Sequence, residues 1–310
     1  MNHKLTRRRF GQLAIAGTAA TGLAYFANKT FAQTPSLVII GADGSITSTD
    51  NTATTEVNSS EVDTPIADST QAASTTQSVV VQSLNVTTGE IQTVLQTPAI
   101  LQSNEQFTGL TYLSNGTLVL AITPVSTSKK GGNPTRLTIL GTSPTTVTVT
   151  GLKKQEKLES LVGTNQGGLI GLVVQKNGTP PVKLVDIDVQ TGKINFTEKV
   201  KLPGNERFAN LVQCPDGKLY TTTVGKQGET SLVQLELGQK KAISKVQLRF
   251  NDSIWNNGLQ SLVCSLGGQL LALGALRYES PNYLHIVNPS TGAMTRLTPF
   301  DVAKTTIARA

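Results

Sequence analysis

The sequence predicts an all-β fold built from repeats, and three observations lead to this prediction. A unit of about 50 residues occurs four times, and its leucines Leu110, Leu161, Leu211 and Leu262 are 51, 50 and 51 residues apart. Each unit holds a glycine-bearing pair between two apolar runs, which is typical of a β-hairpin. The runs mostly alternate apolar and polar residues and are rich in Val, Ile, Leu and Thr, as half-buried strands are. A fixed period of this length indicates a repeat architecture.

Two hairpins follow one another in each unit. The first is expected to turn at Asn115-Gly116, Gly167-Gly168, Asp216-Gly217 and Gly267-Gly268, and the second at pairs such as Thr191-Gly192 and Thr291-Gly292. Four antiparallel strands per 50 residues make one blade of a β-propeller. The segment upstream has the same ingredients, with turns predicted at Asp43-Gly44 and Thr88-Gly89.

The sequence therefore predicts a single five-bladed β-propeller within residues 36–310. Residues 48–77 are rich in Ser, Thr and Asn without periodicity, and they are predicted to form a disordered insertion in the first blade because they have too few apolar groups to offset ordering entropy. The predicted blades are 36–98, 107–152, 158–203, 208–250 and 259–300.

A family resemblance covers nearly the whole of this region. The turn Asp216-Gly217-Lys218-Leu219, repeated in related form and followed by a Thr-Gly turn, resembles the extracytoplasmic β-propeller repeat proteins of the broad YVTN/NHL-like kind. The resemblance implies the propeller fold. It implies no single function, since this fold carries many.

Residues 1–32 resemble a twin-arginine signal peptide. Arg7 and Arg8 follow Thr6 and precede Phe10 by one residue, and Thr30-Phe31-Ala32 is a candidate cleavage site. The apolar run between them has 16 residues, fewer than the roughly 20 that span a bilayer, although an uncleaved anchor helix is the alternative. We expect a periplasmic or otherwise extracytoplasmic protein that is exported folded and has no membrane span in its mature chain.

The formal charge of +7 is unevenly distributed. Residues 1–32 hold five basic and no acidic residues, which leaves 22 − 20 = +2 for the rest. Residues 33–128 hold eight carboxylates and no Lys or Arg, whereas residues 129–310 carry 22 − 12 = +10. This polarity is interpreted as attraction between blades, with docking onto a basic partner as the alternative. The lysines are scattered and not interleaved with aromatic residues, so no nucleic-acid partner is expected.

Few residues suggest catalysis. His285 is the one histidine after the signal region, and it lies in a predicted strand, where a packed or hydrogen-bonded histidine is commoner than a catalytic one. Cys214 and Cys264 fall on the first strands of adjacent blades, where they form either a disulfide or small buried contacts.

One polar position recurs just before the first strand of successive blades. Glu105, Glu156 and Glu206 share it, and Asn257 takes it in the last blade. The favoured interpretation is that each carboxylate accepts backbone N–H groups and holds blades in register, with no cofactor. The alternative is that the ring, at a channel mouth, binds Ca²⁺, the one cofactor considered, or a polyhydroxylated ligand. Trp255, two residues before Asn257, either lines the same mouth or packs in the core.

The connections between second and third strands are predicted to lie at that mouth, and they vary widely in length. Loops of uneven length on a rigid scaffold are where binding usually occurs. We expect a non-enzymatic module that binds a protein, peptide or glycan through this loop-rich face. The alternative is an enzyme, a hydrolase or lactonase that uses the carboxylate ring with a divalent cation.

Overall fold

The structure, a computed structural model, describes residues 37–45, 76–102, 104–125, 134–164, 166–175, 177–200, 206–238 and 242–307. These residues form strands and no helix, and therefore include no helix long and apolar enough to cross a membrane. The strands make five antiparallel sheets, which are the blades of a five-bladed β-propeller. The predicted fold class is confirmed.

Blades 2 to 4 each consist of four consecutive strands, from the innermost to the outermost. Blade 2 is β4 (Glu105–Tyr112), β5 (Leu118–Pro124), β6 (Arg136–Leu140) and β7 (Thr145–Thr148). Blade 3 is β8 (Glu156–Gly163), β9 (Leu169–Gln175), β10 (Val182–Ile187) and β11 (Ile194–Val200). Blade 4 is β12 (Arg207–Gln213), β13 (Leu219–Val224), β14 (Thr230–Leu235) and β15 (Ser244–Gln247).

Blade 5 carries an added hairpin at its outer edge. Its own strands are β18 (Ser261–Cys264), β19 (Leu270–Gly274), β20 (Tyr283–Val287) and β21 (Ala293–Pro299). The hairpin is β16 (Arg249–Phe250) with β17 (Ser253–Ile254), and β16 pairs with β21 in parallel.

Blade 1 combines both ends of the described chain. It is β1 (Val38–Ser45), β2 (Thr76–Asn85) and β3 (Ile91–Gln102), and its innermost strand is β22 (Lys304–Ile307) from the C-terminal side. β22 pairs antiparallel with β1 from Ala42 to Ile39 and closes the ring.

The prediction of a turn at Asp43-Gly44 is wrong. Both residues lie in β1 and pair with Val80 and Val79 of β2. One strand therefore stands where a hairpin was expected, because β22 supplies the fourth strand of this blade. The signal region and residues 48–75 of the predicted insertion lie outside the described residues, whereas Thr76 and Gln77, its last two residues, begin β2.

The apolar core lies between blades. Five buried clusters occupy the five blade interfaces, so each blade packs against both neighbours. The second strands show why: β5 and β9 are buried along nearly their whole length, as strands covered on both faces are. Outer strands such as β11 alternate in burial or face solvent. The inner strands contact one another around the ring in the order β22, β4, β8, β12 and β18, and they form the wall of a central channel.

Candidate functional site

A polar funnel opens at one end of the central channel. Its volume is about 570 Å³, and its wall comes from the beginnings of the inner strands of all five blades. The connection between β13 and β14 also reaches it through Gly228, and so do Asp43 of β1 and Gln77 of β2. The funnel is thus on the side where second strands end and third strands begin. This is the face on which the long loops were predicted.

The opposite end of the channel is narrow, and most residues that line it are apolar. A cavity of about 50 Å³ there is lined by the four repeat leucines, Leu110, Leu161, Leu211 and Leu262. Cys214 and Cys264 lie near this end and form a disulfide between blades 4 and 5, with their Cα atoms 5.2 Å apart. The channel therefore has one wide end whose polar groups can hold a ligand and one narrow end.

The funnel wall contains a ring of residues two positions before the repeat leucines. Its members differ in chemistry from blade to blade: Thr108, Glu159, Ala209, Gln260 and, in the closing strand, Lys304. β4, β8 and β12 each carry a register shift at this level, between Phe107 and Gly109, Leu158 and Ser160, and Ala209 and Leu211. A β-bulge re-aims the side chains around it, so strict alternation does not indicate which residues face the channel.

Some charged groups in the funnel have an opposite charge in ion-pair distance, and others do not. The Glu159 carboxylate is paired with Lys157 Nζ at 2.5 Å. Lys304 Nζ donates a hydrogen bond to the backbone oxygen of Gln260 at 2.6 Å. Burial lowers the pKa of Lys304 to about 8; the Glu159 carboxylate opposes this shift and Lys157 adds to it. Within the described part of the chain, Lys304 and Arg207 have no carboxylate in ion-pair distance.

Asp43 is the other acidic group in the funnel wall. Burial raises its pKa, the N–H of Gly44 lowers it, and the carboxylate of Asp301 raises it further. Its negative charge is therefore held less firmly than that of an ordinary aspartate.

The three recurrent glutamates do not line the funnel. Each is bound by a basic side chain of its own blade: Glu105 by Arg136 at 2.5 Å, Glu156 by Lys183, and Glu206 by Lys245 at 2.5 Å. Glu105 and Glu156 also accept backbone N–H groups, from Gln102 at 3.0 Å and Lys153 at 3.1 Å. This arrangement corresponds to the structural interpretation, extended by ion pairs that the sequence did not indicate. Ca²⁺ binding by these carboxylates stays an untested alternative.

Asn257 and Trp255 have different positions. Asn257 lines the funnel, and its amide donates to the backbone oxygen of Ala275 at 2.9 Å. Trp255 is fully buried in the cluster between blades 4 and 5, where its ring packs edge-on to His285 and Phe250 at 5.2 and 6.4 Å. Of the two placements that the sequence left open, the structure shows core packing, and Trp255 as a ligand-binding candidate at the mouth is corrected. The added hairpin supplies Phe250 and so encloses the tryptophan.

His285 is fully buried beside Trp255, and neither of its ring nitrogens has a well-formed hydrogen bond among the described residues. Burial first, and the Arg296 guanidinium second, lower its pKa. The described residues also contain no group of three or more His, Cys, Asp or Glu side chains arranged to hold a metal ion.

Comparisons with known proteins yield structural similarity without a family. No family model and no curated protein matches the chain. Among solved structures, a protein of unknown function from Dyadobacter fermentans has a TM-score of 0.51 at 11% identity, over 73% of this chain and 72% of that one. The periplasmic gluconolactonase of Pseudomonas aeruginosa has a TM-score of 0.41 at 13% identity, over 75% and 79% of the two chains. Regucalcin, a calcium-binding protein of Agrobacterium tumefaciens, has a TM-score of 0.39 at 11% identity, over 71% and 67%. The Dyadobacter similarity is one of fold alone, and it agrees with the propeller described above.

Proposed function

We propose that this protein is a binding module that holds a small polar group of a peptide, protein or glycan in the funnel. The observation that carries the proposal is the funnel itself. Its volume of about 570 Å³ lies within the roughly 300–1,000 Å³ of ordinary ligand pockets. Its wall draws polar side chains from separate blades, as a site on a rigid scaffold does.

The chemistry of the ring supports binding. A purely structural ring in a repeat protein would repeat the same residue, whereas this one changes from Thr108 to Glu159, Ala209, Gln260 and Lys304. Lys304 also keeps an ammonium group in a partly buried place at a cost in stability, as its lowered pKa indicates. Local choices that oppose stability are typical of functional sites.

The alternative of a hydrolase or lactonase with Ca²⁺ on the glutamate ring has less support. Its three carboxylates are each already neutralised by an arginine or lysine in the described structure. Chemical analysis of a ligand after it has bound distinguishes a binding module from an enzyme, because an enzyme releases an altered ligand.

The test is a screen of the purified protein against arrays of oligosaccharides and short peptides. Ala209→Trp fills the funnel, and Leu266→Trp, at the exposed opposite mouth, is its matched control. We expect array ligands that bind wild type and the Leu266 variant, do not bind the Ala209 variant, and are recovered chemically unchanged. Binding that the Ala209→Trp substitution does not weaken would place the site outside the funnel. Chemical conversion of the ligand would favour the enzyme.

We also propose that the protein is exported by the twin-arginine route. The Cys214–Cys264 disulfide supports this, because disulfides persist in oxidising compartments outside the cytoplasm. Replacing both Arg7 and Arg8 by lysine should leave the precursor in the cytoplasm of the expressing cells. An unchanged yield of processed protein outside the cytoplasm would contradict the signal assignment.

A further inference from the structure

The uncompensated charge of the funnel is positive. Four charged residues line it, namely Asp43, Glu159, Arg207 and Lys304. Glu159 is neutralised by its 2.5 Å contact with Lys157, and Asp43, which is exposed, is then the one remaining carboxylate against two cations in the lining. Arg207 and Lys304 have no carboxylate within 4 Å in the described part of the chain. Anions are therefore attracted to this cavity more strongly than cations.

Lys304 has hydrogen-bonding capacity left over. An ammonium group has three donors, and one of them reaches the backbone oxygen of Gln260. Part of its water shell is removed by burial, so an incoming anion would replace lost hydration with a charge-assisted hydrogen bond. The lysine belongs to β22, whose backbone is held by β1, and this limits the space that the ammonium group can reach.

The remaining lining groups suit a polar ligand. The side chains of Gln106 and Gln260 are exposed to the funnel and offer amide donors and acceptors. Arg207, at the start of β12, is exposed as well and presents a planar fork that matches the two oxygens of a carboxylate. Lys304 and Arg207 lie on strands that are separated around the ring by β18. A ligand between them would therefore be bound from two sides.

We propose that the funnel recognises a carboxylate on its ligand through Lys304 and Arg207, with Gln106 and Gln260 contacting the polar remainder. The inference rests on the proposed function, since it names the chemistry of the group that this same funnel would hold. Two sources supply such a group: the free C-terminus of a short peptide and a uronic acid of a glycan.

The experiment compares matched probes by calorimetry at low ionic strength. The pairs are D-galacturonate with D-galactose, and Gly-Gly-Ala with its C-terminal amide. We expect the acid of one pair to bind about tenfold more tightly than its neutral partner, as a single charge-assisted hydrogen bond allows. Lys304→Gln and Arg207→Gln should each remove most of that preference. Lys226→Gln should not, because it makes the same charge change at an exposed site on the same face, outside the funnel lining.

The outcomes separate this inference from the proposed function. Equal binding of acid and neutral probes, or a preference that survives both funnel substitutions, overturns carboxylate recognition. Carboxylate recognition is also overturned if none of the four probes binds and all array ligands that the Ala209→Trp variant loses are uncharged. None of these outcomes overturns the proposal that the funnel binds a ligand. If no array ligand depends on Ala209, both proposals fail. The pair that shows the preference identifies the source as peptide or glycan.

Discussion

The recurrent glutamates connect strands within a blade. Glu105 joins the start of inner strand β4 to Arg136 of third strand β6, and Glu156 joins β8 to Lys183 of β10 in the same way. Glu206 reaches Lys245 on the outermost strand β15 of its blade. Each pair thus fixes the end of an inner strand to its own sheet. The carboxylates recur because the blade geometry recurs, whereas the basic partner and its strand vary.

Replacing Glu156 by Gln should therefore destabilise the protein. Its side chain is 7% exposed and that of Lys183 is 10% exposed, so the substitution leaves a buried ammonium group without its counter-ion. We expect a loss of about 1–3 kcal/mol in the free energy of unfolding, measured by urea denaturation, and no effect of added Ca²⁺. Glu206→Gln is the control: its pair is 26–36% exposed, and it should cost less than about 1 kcal/mol. Protection of only the wild type by Ca²⁺ would instead support a metal site.

The same carboxylate gives a pH dependence of known sign. Burial raises the pKa of Glu156, but the hydrogen bonds from Lys183 and from the N–H of Lys153 outweigh it, so the net shift is downward from 4.5. A lowered carboxyl pKa contributes stability that is present above pH 4.5 and is lost as the pH falls through the folded value. The Glu156→Gln variant should therefore lose less stability than wild type on acidification below pH 4.5.

His285 should make the stability of the protein fall on acidification at a higher pH than Glu156 does. Burial and the nearby Arg296 lower its pKa below 6.5, so the unfolded chain takes up a proton more readily than the folded protein. Its contribution to stability is then fully present above pH 6.5 and falls as the pH drops toward the folded pKa. We expect thermal melts of His285→Leu to depend less on pH between about 6.5 and 5 than those of wild type. A wild-type melting temperature that is constant over this interval would contradict the buried neutral histidine.

At the scale of strands and turns, glycines with the same backbone conformation have different surroundings. Gly192 turns between β10 and β11 with φ of +70°, and a Cβ there would overlap the backbone oxygen of Thr148 in the neighbouring blade. Gly217 turns between β12 and β13 with φ of +84°, and a Cβ there would meet nothing within 4 Å. The Thr-Gly turn therefore packs one blade against the next, whereas the Asp-Gly turn stands free.

Alanine at these two glycines should separate backbone strain from packing. Gly217→Ala should cost about 1–2 kcal/mol, the penalty of a left-handed conformation alone. Gly192→Ala has the same penalty and must also displace Thr148, which adds about 1–3 kcal/mol. Urea denaturation of both variants measures the difference. Equal losses in the free energy of unfolding would show that blades 2 and 3 can move apart at this turn without cost.

The sequence predicted the strands better than it predicted the site. The turn glycines Gly116, Gly167, Gly217 and Gly268 all have positive φ, as their pairs indicated. The funnel ring was missed because the bulges at this level change the direction of the side chains, and alternation cannot show a bulge. The one usable signal was the offset of two residues from the repeat leucines, which aligns Thr108, Glu159, Ala209 and Gln260.

At the scale of the whole molecule, the period predicted five blades but not the closure of the ring. β22 consists of Lys-Thr-Thr-Ile, a run too short and polar to be recognised as a strand after the last repeat. The segment forms a strand because of its contacts with residues distant in the sequence. β1 pairs with it, Ser261 and Thr305 exchange hydrogen bonds of 3.1 Å across to blade 5, and Ile307 joins the cluster between blades 5 and 1. Long-range packing thus determines that this segment is a strand, and the local sequence pattern does not predict it.

A chain that ends at Ala303 should lose cooperative unfolding, because it lacks the strand that closes the ring. Without β22 the inner edge of β1 is unpaired, and the buried contacts of Thr305 and Ile307 are lost at the interface of blades 1 and 5. Calorimetry should show a broad, weakened transition. The control removes a different link: with both Cys214 and Cys264 replaced by serine the ring stays closed, so a single sharp transition should persist with about 2–4 kcal/mol less stability. If the shortened chain melts as sharply as the full chain, the four blades beside the gap hold the ring by themselves, and β22 serves chiefly to carry Lys304 into the funnel.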